Sequence, residues 1–180
     1  MNWNRIARRI RVPLGFVFAA LYAWLARPTP GSILAGLAIS ATGLAIRAYA
    51  SGYVDKNERL ATTGPYAYTR NPLYLGSIIM AAGFALAARS WVIGAVLLVM
   101  FLAIYLPVIR GEEKFLRQRF PEFAEYERQV PRLLPRVLIS SSHGGVFSWD
   151  LYRQHREYNA LAGTLAMAAV LAAKLLWFSR

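Results

Sequence analysis

Five long apolar blocks constrain this chain more than any other feature of its sequence. They are separated by short turns or by basic segments, and they fall at Val12–Ala26, Ile33–Ala50, Pro72–Ala88, Trp91–Ile109 and Leu161–Phe178. Several of them approach the roughly 17–25 residues that a helix needs to cross a bilayer. None alternates apolar and polar residues, so helices are favoured over a barrel. We therefore predict an all-α polytopic membrane protein, a single domain over residues 1–180 with about five transmembrane helices.

The composition agrees with this fold class. Of the 180 residues, 57% are hydrophobic and only 17% are charged, a balance too apolar for an ordinary soluble domain. The first block follows Arg5, Arg8, Arg9 and Arg11, as a signal peptide would, but the residues around Arg27 make a poor cleavage site. We therefore expect the first block to remain as a span. Because the chain has no cysteine, disulfides, thiol nucleophiles and cysteine metal sites are excluded.

Basic residues are distributed unevenly between the two sides that five alternating spans would define. One side receives the N-terminal arm, the Arg47–Arg70 region and the Arg110–Glu157 segment, which hold 4, 4 and 9 basic residues, that is 17 of the 21 lysines and arginines. The positive-inside rule makes that side cytoplasmic. We expect the site there, in the cytoplasmic membrane of a bacterium or archaeon. Anionic lipid explains the net charge of +12 more simply than nucleic acid does, so we expect no nucleic-acid partner.

The stretch Leu60–Gly76 crowds turn-forming residues, aromatic rings and one cation between two apolar blocks. A Gly-Pro pair at Gly64 predicts a turn, and Asn71 before Pro72 predicts that a new helix begins at the proline. Arg70 and Asn71 would then lie at the mouth of that helix. An interfacial loop, with tyrosines at the headgroup level and Arg70 against lipid phosphate, is the alternative interpretation.

An acidic pair, Glu112 and Glu113, directly follows the fourth block. Two carboxylates facing an anionic leaflet gain nothing from lipid. A cationic or hydroxyl-bearing partner explains them better, either Arg70 in a structural salt bridge or a ligand. The residues that follow predict an amphipathic cytoplasmic helix interrupted at Pro121. Its apolar residues recur at helical spacing: Phe115, Leu116, Phe120, Phe123 and Tyr126.

Repeated glycines and one proline predict how the spans pack. Gly36 and Gly43 lie seven residues apart in the second block, and Gly76 and Gly83 repeat that spacing in the third. Small residues on one helix face indicate close helix contact. Pro107, near the end of the fourth block, predicts a kink that frees a backbone carbonyl.

Three further polar residues, Arg47, His143 and His155, are not assigned to the site. Arg47, near the inner end of the second block, is expected to extend its side chain towards the headgroups. His143 and His155 lie in separate segments without a recognisable pattern of carboxylate neighbours. We therefore expect no metal site.

An ordered set of residues runs from Tyr53 to Pro135. It comprises Leu60, Thr63-Gly64-Pro65-Tyr66, Arg70-Asn71-Pro72-Leu73-Tyr74-Leu75-Gly76, a helical hairpin, Glu112-Glu113, Leu116, Phe120, Tyr126 and Pro131. This set resembles the isoprenylcysteine carboxyl methyltransferase family and the related phospholipid methyltransferases. Members of that family are integral membrane enzymes that bind S-adenosylmethionine on the cytosolic side. The resemblance implies a methyltransferase, with an extra C-terminal helix at residues 159–178.

The resemblance also implies a site. Its catalytic residues would be Arg70 and Glu113. Its cofactor-binding residues would be Gly64, Tyr66, Tyr68, Arg70, Asn71, Pro72, Tyr74, Gly76, Glu112 and Glu113. A cation suits the cofactor's carboxylate, a glutamate can accept from its ammonium or ribose, and tyrosines can wall its adenine or sulfonium.

Two positions depart from the family's pattern. Asn71 stands where a histidine is usual, which keeps hydrogen bonding but removes a titratable base. Pro121 stands where a glycine is common. The first departure weakens any scheme in which a histidine is the base, and it leaves cofactor binding plausible.

The methyl acceptor is expected to be a lipid or another lipophilic small molecule, with membrane lipids as the surrounding partners. The soluble portion, Gly111–Tyr158, is too small and too broken by prolines to build a separate pocket for a water-soluble substrate. Two other interpretations stay open. One is a membrane NADPH-dependent reductase, although proteins of that kind are generally much longer. The other is a non-catalytic membrane scaffold in which Arg70 and the acidic pair form only a structural salt bridge.

Overall fold

The structure, a computed structural model, describes residues 3–55, 58–136 and 145–178, without the side chains of residues 3–12 and 178. Every regular element in those residues is helical, which confirms the all-α prediction for them. The helices are α1 (Trp3–Leu25), α2 (Pro30–Ser51), α3 (Pro72–Ala88), α4 (Trp91–Met100), α5 (Leu106–Arg119), α6 (Phe123–Gln129), α7 (Trp149–Gln154) and α8 (Tyr158–Phe178). A 3₁₀ turn occupies Gly64–Ala67, and a π-helical turn at Phe101–Tyr105 joins α4 to α5.

Three helical stretches among the described residues are long and apolar enough to cross a membrane. They are Pro30–Ser51, Trp91–Arg119 and Tyr158–Trp177. The apolar part of α1, Pro13–Leu25, and the whole of α3 are shorter. The structure thus has membrane-spanning capacity, and five crossings remain a prediction.

Two helices extend beyond the apolar blocks that predicted them. Helix α1 begins at Trp3 rather than Val12, and the helix of the fourth block continues as α5 past Arg110 to Arg119. The end of an apolar run shows where a helix can leave the lipid, but it does not show where the helix ends. Arginine, lysine and glutamate have high helix propensity, so a helix can continue through them. The sequence prediction therefore placed both ends too close to the apolar blocks.

Pro107 lies at the start of α5, two residues beyond the end of the π-helical turn. The N–H of Leu106 donates to the carbonyl of Phe101, five residues back, which is the bond that defines a π turn. A proline lacks the N–H that would continue the ladder. The wider turn and the proline lie together, so the predicted irregularity is present as a local π bulge in a helix that continues.

The chain forms two compact units that interleave along the sequence. The first comprises Met1–Ser40, Ala81–Lys114 and Thr164–Arg180, and the second comprises Ala41–Met80 and Phe115–Gly163. The core of the first unit is Tyr22, Ala26, Ala87, Ala88, Ile93 and Leu171. Tyr22 is fully buried there, and its hydroxyl donates to the carbonyl of Phe84 at 2.9 Å. That bond satisfies the one polar atom that the ring brings into an apolar core.

The core of the second unit is formed by the apolar face of α6 and by the residues that pack against it. Phe120, Phe123, Tyr126 and Val130 are buried, with Leu60 and Leu116 packed against them. Helix α5 ends before Phe120 and α6 begins at Phe123, so the break predicted at Pro121 is confirmed. Phe115 lies outside this cluster, and its side chain is 47% exposed.

The repeated glycines of α2 and α3 meet in pairs, as their spacing predicted. In the first unit, a Cβ added to Gly36 would collide with the backbone of Gly83. In the second unit, a Cβ added to Gly76 would lie 2.6 Å from the carbonyl oxygen of Gly43. Only glycine permits backbones to approach this closely.

Arg47 does not extend towards headgroups, contrary to the sequence prediction. Its guanidinium forms an ion pair with Glu157, with Nη2 2.8 Å from Oε1 and Nε 3.1 Å from Oε2. Nη1 donates to the carbonyl of Leu73 and to the hydroxyl of Ser77. The Glu157 side chain is only 10% exposed, so an intramolecular carboxylate takes the place of lipid phosphate as the partner of Arg47.

Candidate functional site

The turn before α3 has a left-handed residue at its start. Gly64 has φ of 58°, a conformation that glycine adopts without a steric penalty. A Cβ there would also lie 2.6 Å from the ring of Tyr53. The chain then makes its 3₁₀ turn, and α3 begins at Pro72, where a missing N–H costs nothing.

A strap formed by Val130–Arg136 is hydrogen-bonded along this turn. The backbone N–H of Arg70 donates to the carbonyl of Pro131 at 2.9 Å, and the N–H of Arg136 donates to the carbonyl of Tyr68 at 3.0 Å. The carbonyl of Arg132 accepts from two side chains of the turn, Thr69 Oγ1 at 3.1 Å and Asn71 Nδ2 at 3.0 Å. The backbone around Arg70 is therefore fixed from outside its own segment.

Tyr126 joins the turn to the core of the second unit. Its hydroxyl donates to the carbonyl of Tyr66 at 2.7 Å, while its ring lies in the buried cluster with Phe123. Tyr66 itself is buried, at 7% exposure. The turn thus rests on α6 as well as on the strap.

The side chain of Arg70 is held by a carboxylate on α6. Its Nη1 lies 3.2 Å from Oε2 of Glu127, and the Arg70 side chain is 10% exposed. Arg117 binds the same carboxylate through two contacts, Nε to Oε1 at 3.0 Å and Nη2 to Oε2 at 2.6 Å. Hydrogen bonding from Arg117, supported by the charge of Arg70, holds the pKa of Glu127 below its ordinary value.

The other predicted residues around the turn differ in exposure and in contacts. Tyr68 is 43% exposed and Tyr74 is half-buried, so their rings remain accessible to a ligand. Pro72 is fully buried, and Gly76 makes the helix contact described above. The amide nitrogen of Asn71 holds the strap, which is a structural use of a side chain predicted to bind the cofactor.

The acidic pair lies on α5 and belongs to the first unit. Glu113 is only 3% exposed, whereas Glu112 is half-buried. A carboxylate buried to that degree requires a cation or hydrogen-bond donors. Arg70 and Asn71 belong to the second unit, so the structure describes each half of the predicted site within its own unit, and their joint role remains a prediction.

An open groove of about 360 Å³ lies beside the turn in the second unit. It is lined by Leu60, Thr62, Ala67, Glu122, Glu125, Tyr126, Gln129 and Val130. None of the predicted cofactor-binding residues lines it. The groove and the predicted site are therefore separate features of the described residues.

Of the two histidines, only His155 lies in the part of the chain that the structure describes. Nδ1 of His155 lies 2.7 Å from the carbonyl of Leu151, one helical turn earlier. His143 lies outside the described residues. Among those residues, no group of three or more histidine, cysteine, aspartate or glutamate side chains could hold a metal ion.

Sequence reasoning missed the residues that surround Arg70. No motif or spacing in the sequence singled out Glu127 or Arg117. Fifty-seven residues separate Arg70 from Glu127, and no local pattern links residues that far apart. Their one sequence signal is that the segment with Tyr126 and Pro131 belongs to the same ordered set as the turn.

Comparison with known proteins agrees with the resemblance read from the motifs. The chain is 39% identical over 104 residues to the cobalt-zinc-cadmium resistance protein CzcN of Cupriavidus metallidurans, covering 58% of this chain and 46% of that protein. It is 36% identical over 109 residues to the nickel-cobalt-cadmium resistance protein NccN of Alcaligenes xylosoxydans xylosoxydans, covering 57% and 50%. The chain thus spans about half the length of these curated relatives.

No solved structure matches the chain. The sequence model of the phospholipid methyltransferase family matches residues 29–122, slightly more than half of the 180 residues. The match begins before the region that the motifs suggested and contains both the turn around Arg70 and the acidic pair. The chain therefore belongs to the phospholipid methyltransferase family of integral membrane proteins.

Proposed function

We propose that this chain transfers a methyl group from S-adenosylmethionine to a lipophilic acceptor at the cytoplasmic face of a membrane. The observation that carries the proposal is the family match over residues 29–122, because that range includes every residue assigned to the site. Three helices with membrane-spanning capacity support the membrane part. Five crossings, with residues 112–128 as an amphipathic cytoplasmic segment, belong to the same proposal.

In this proposal, Arg70 binds the carboxylate of the cofactor, and Glu113, with Glu112, accepts from its ammonium or ribose. The nearly buried guanidinium of Arg70 and the buried carboxylate of Glu113 support these roles, because charged groups out of water bind their partners strongly. Tyr68 and Tyr74 supply accessible rings for the adenine or sulfonium. The cofactor supplies the methyl group, and the protein's main task is to align it with the acceptor.

The choice of acceptor depends on the residue at position 71. Asn71 does not titrate, and its amide nitrogen already holds the strap. An acceptor that is anionic at neutral pH, such as a carboxylate, needs no base from the protein, whereas an amine or phenol must lose a proton. The absence of a histidine at this position favours an acceptor that arrives deprotonated.

Binding measurements separate this function from the other two interpretations. Isothermal titration of the detergent-solubilised protein with S-adenosylmethionine, and separately with NADPH, should give heat only with the first. Binding of NADPH alone would favour the reductase. Binding of neither would favour a scaffold.

Glu113→Gln should bind S-adenosylmethionine at least tenfold more weakly than the wild type. The variant loses a charge-assisted hydrogen bond, which typically costs about 1.5–3 kcal/mol. Titration of wild type, Glu112→Gln and Glu113→Gln measures this, with the melting temperature as the check on folding. Unchanged affinity in both variants would refute the assignment of the acidic pair.

The acceptor's tail should contribute to turnover. Each methylene adds roughly 0.8 kcal/mol to the transfer of the acceptor from water into the membrane or micelle that holds the protein. If the acceptor enters from there, kcat/KM referred to the aqueous acceptor concentration should rise with chain length among acceptors that share a head group. A methyl-transfer assay across such a series is the measurement. Rates independent of chain length would rule out entry from the bilayer and leave the methyltransferase assignment standing.

The names of the two relatives favour a second proposal, that the activity contributes to metal tolerance. Both matched proteins are named for resistance to divalent metals. A strain lacking this gene should then be more sensitive to cobalt, zinc, cadmium or nickel, and wild-type protein should restore growth. Complementation by the Glu113→Gln variant should fail if methyl transfer is the contribution, and equal growth of all strains would reject the role.

A further inference from the structure

We infer that Glu127 is a positioning residue that aims the guanidinium of Arg70 at the carboxylate of S-adenosylmethionine. The inference rests on the proposed function, and its basis is the bridge that Glu127 makes between two arginines. One of its oxygens, Oε2, contacts Nη1 of Arg70 at 3.2 Å and Nη2 of Arg117 at 2.6 Å. The other, Oε1, accepts from Nε of Arg117 at 3.0 Å.

Glu127 is itself immobilised. The two contacts from Arg117 are parallel and bidentate, the arrangement that fixes a carboxylate most firmly. The guanidinium carbon of Arg117 also lies 6.0 Å from the ring centroid of buried Phe123. The ion pair with Arg117 therefore fixes the carboxylate that Arg70 contacts.

Arg70 is therefore held at both ends. Its backbone N–H is bonded to the carbonyl of Pro131, and its guanidinium is bonded to Glu127. An arginine that is free in solution loses rotamer freedom when it binds an anion, and one that is already held loses less. Preorganisation of this kind improves affinity without a new contact to the ligand.

A second effect of Glu127 has the opposite sign. Its negative charge lowers the positive potential at Arg70, so removing that charge alone would strengthen the binding of any anion. Positioning and charge therefore predict opposite changes in affinity. Because Arg117 already compensates the charge of Glu127 through two contacts, positioning is the effect that we assign to Glu127.

The test compares two ligands that differ only in the carboxylate. They are S-adenosylhomocysteine and its analogue in which hydrogen replaces the carboxylate, titrated into the detergent-solubilised full chain. Glu127→Gln should weaken binding of S-adenosylhomocysteine about tenfold, the size of one lost orienting contact. Its affinity for the decarboxylated analogue should stay within about twofold of wild type.

Two further variants keep the test decisive. Glu125→Gln, on the same helix, removes an exposed carboxylate that pairs with Arg128 and should leave both affinities unchanged. If Glu127→Gln does not fold, Arg117→Lys replaces it, because lysine keeps the charge but cannot hold Glu127 bidentately. It should give the same carboxylate-selective loss, about threefold.

Each remaining outcome overturns the inference. Equal weakening of both ligands would mean that Glu127 has only a structural role. Tighter binding of S-adenosylhomocysteine by Glu127→Gln would mean that charge outweighs positioning, and unchanged binding would mean that Glu127 does not act on the ligand. If wild type binds neither ligand, the proposed function fails first, and the inference falls with it.

Discussion

Gly64 illustrates how a single residue type permits the geometry on which the site depends. Its left-handed φ of 58° lets the chain turn sharply, and its missing Cβ leaves room for the ring of Tyr53. The 3₁₀ turn that follows delivers Arg70 to the strap residue Pro131. The glycine that predicted a turn is thus also required for packing, because a side chain at this position would collide with Tyr53.

Gly64→Ala should lower the stability of the protein by at least 1–2 kcal/mol, roughly the cost of a left-handed conformation for a residue with a Cβ, with a further cost from the contact with Tyr53. Gly94→Ala is the matched control, since a Cβ there would meet nothing within 4 Å and alanine is the better helix former by about 1 kcal/mol. Thermal unfolding in detergent measures both. An equal melting temperature for wild type and Gly64→Ala would contradict the strain argument.

At the scale of helices, local signals predicted the bounds of α3 and its close contacts with α2. Helix α3 begins and ends where the sequence placed it, because Pro72 suits a first turn and Arg89, with φ of 51°, follows its last residue. The glycine pairs of α2 and α3 were predictable for the same reason, since a spacing of seven places two small residues on one helix face. These features depend only on residues close in sequence.

Pairings between distant charges could not be predicted in this way. Arg47 and Glu157 are 110 residues apart, and Arg70 and Glu127 are joined only because the strap and α6 fold over the turn. Tertiary packing decides which residue pairs with a buried charge. The spacing of apolar residues along the sequence carries no information about that pairing. The residue types of the predicted site were readable from sequence, and the network that holds them was not.

The ion pair between Arg47 and Glu157 should be the strongest polar link between the C-terminal helices and the rest of the second unit. Removing one partner of a largely buried pair leaves an uncompensated charge, so Glu157→Gln or Arg47→Met should cost about 3 kcal/mol. The double variant should cost less than the sum of the two single changes. Melting temperatures of the four proteins give this comparison, and additive effects would contradict a direct interaction.

At the scale of the whole molecule, contacts within each unit agree with helices that alternate in direction. In the second unit, the C-terminal end of α2 meets the start of α8 through Arg47 and Glu157. In the first unit, the N–H of Arg27, after α1, donates to the carbonyl of Ala88 at the end of α3, and Nζ of Lys174 donates to the carbonyl of Trp24. Each set joins helix ends that an alternating path would place at the same membrane face.

The N-terminus and the segment from Glu112 to Glu157 should therefore be cytoplasmic, and the C-terminus at Arg180 should lie on the opposite side. The physical reason is the concentration of 17 of the 21 basic residues on one predicted side, since lysine and arginine are retained in the cytoplasm during insertion. Fusions of alkaline phosphatase and of green fluorescent protein after Arg136 and after Arg180 test the arrangement. Fluorescence at the first site and phosphatase activity at the second are expected. Fluorescence at both sites would mean that the chain crosses the membrane an even number of times between Arg136 and Arg180, and that α8 does not span.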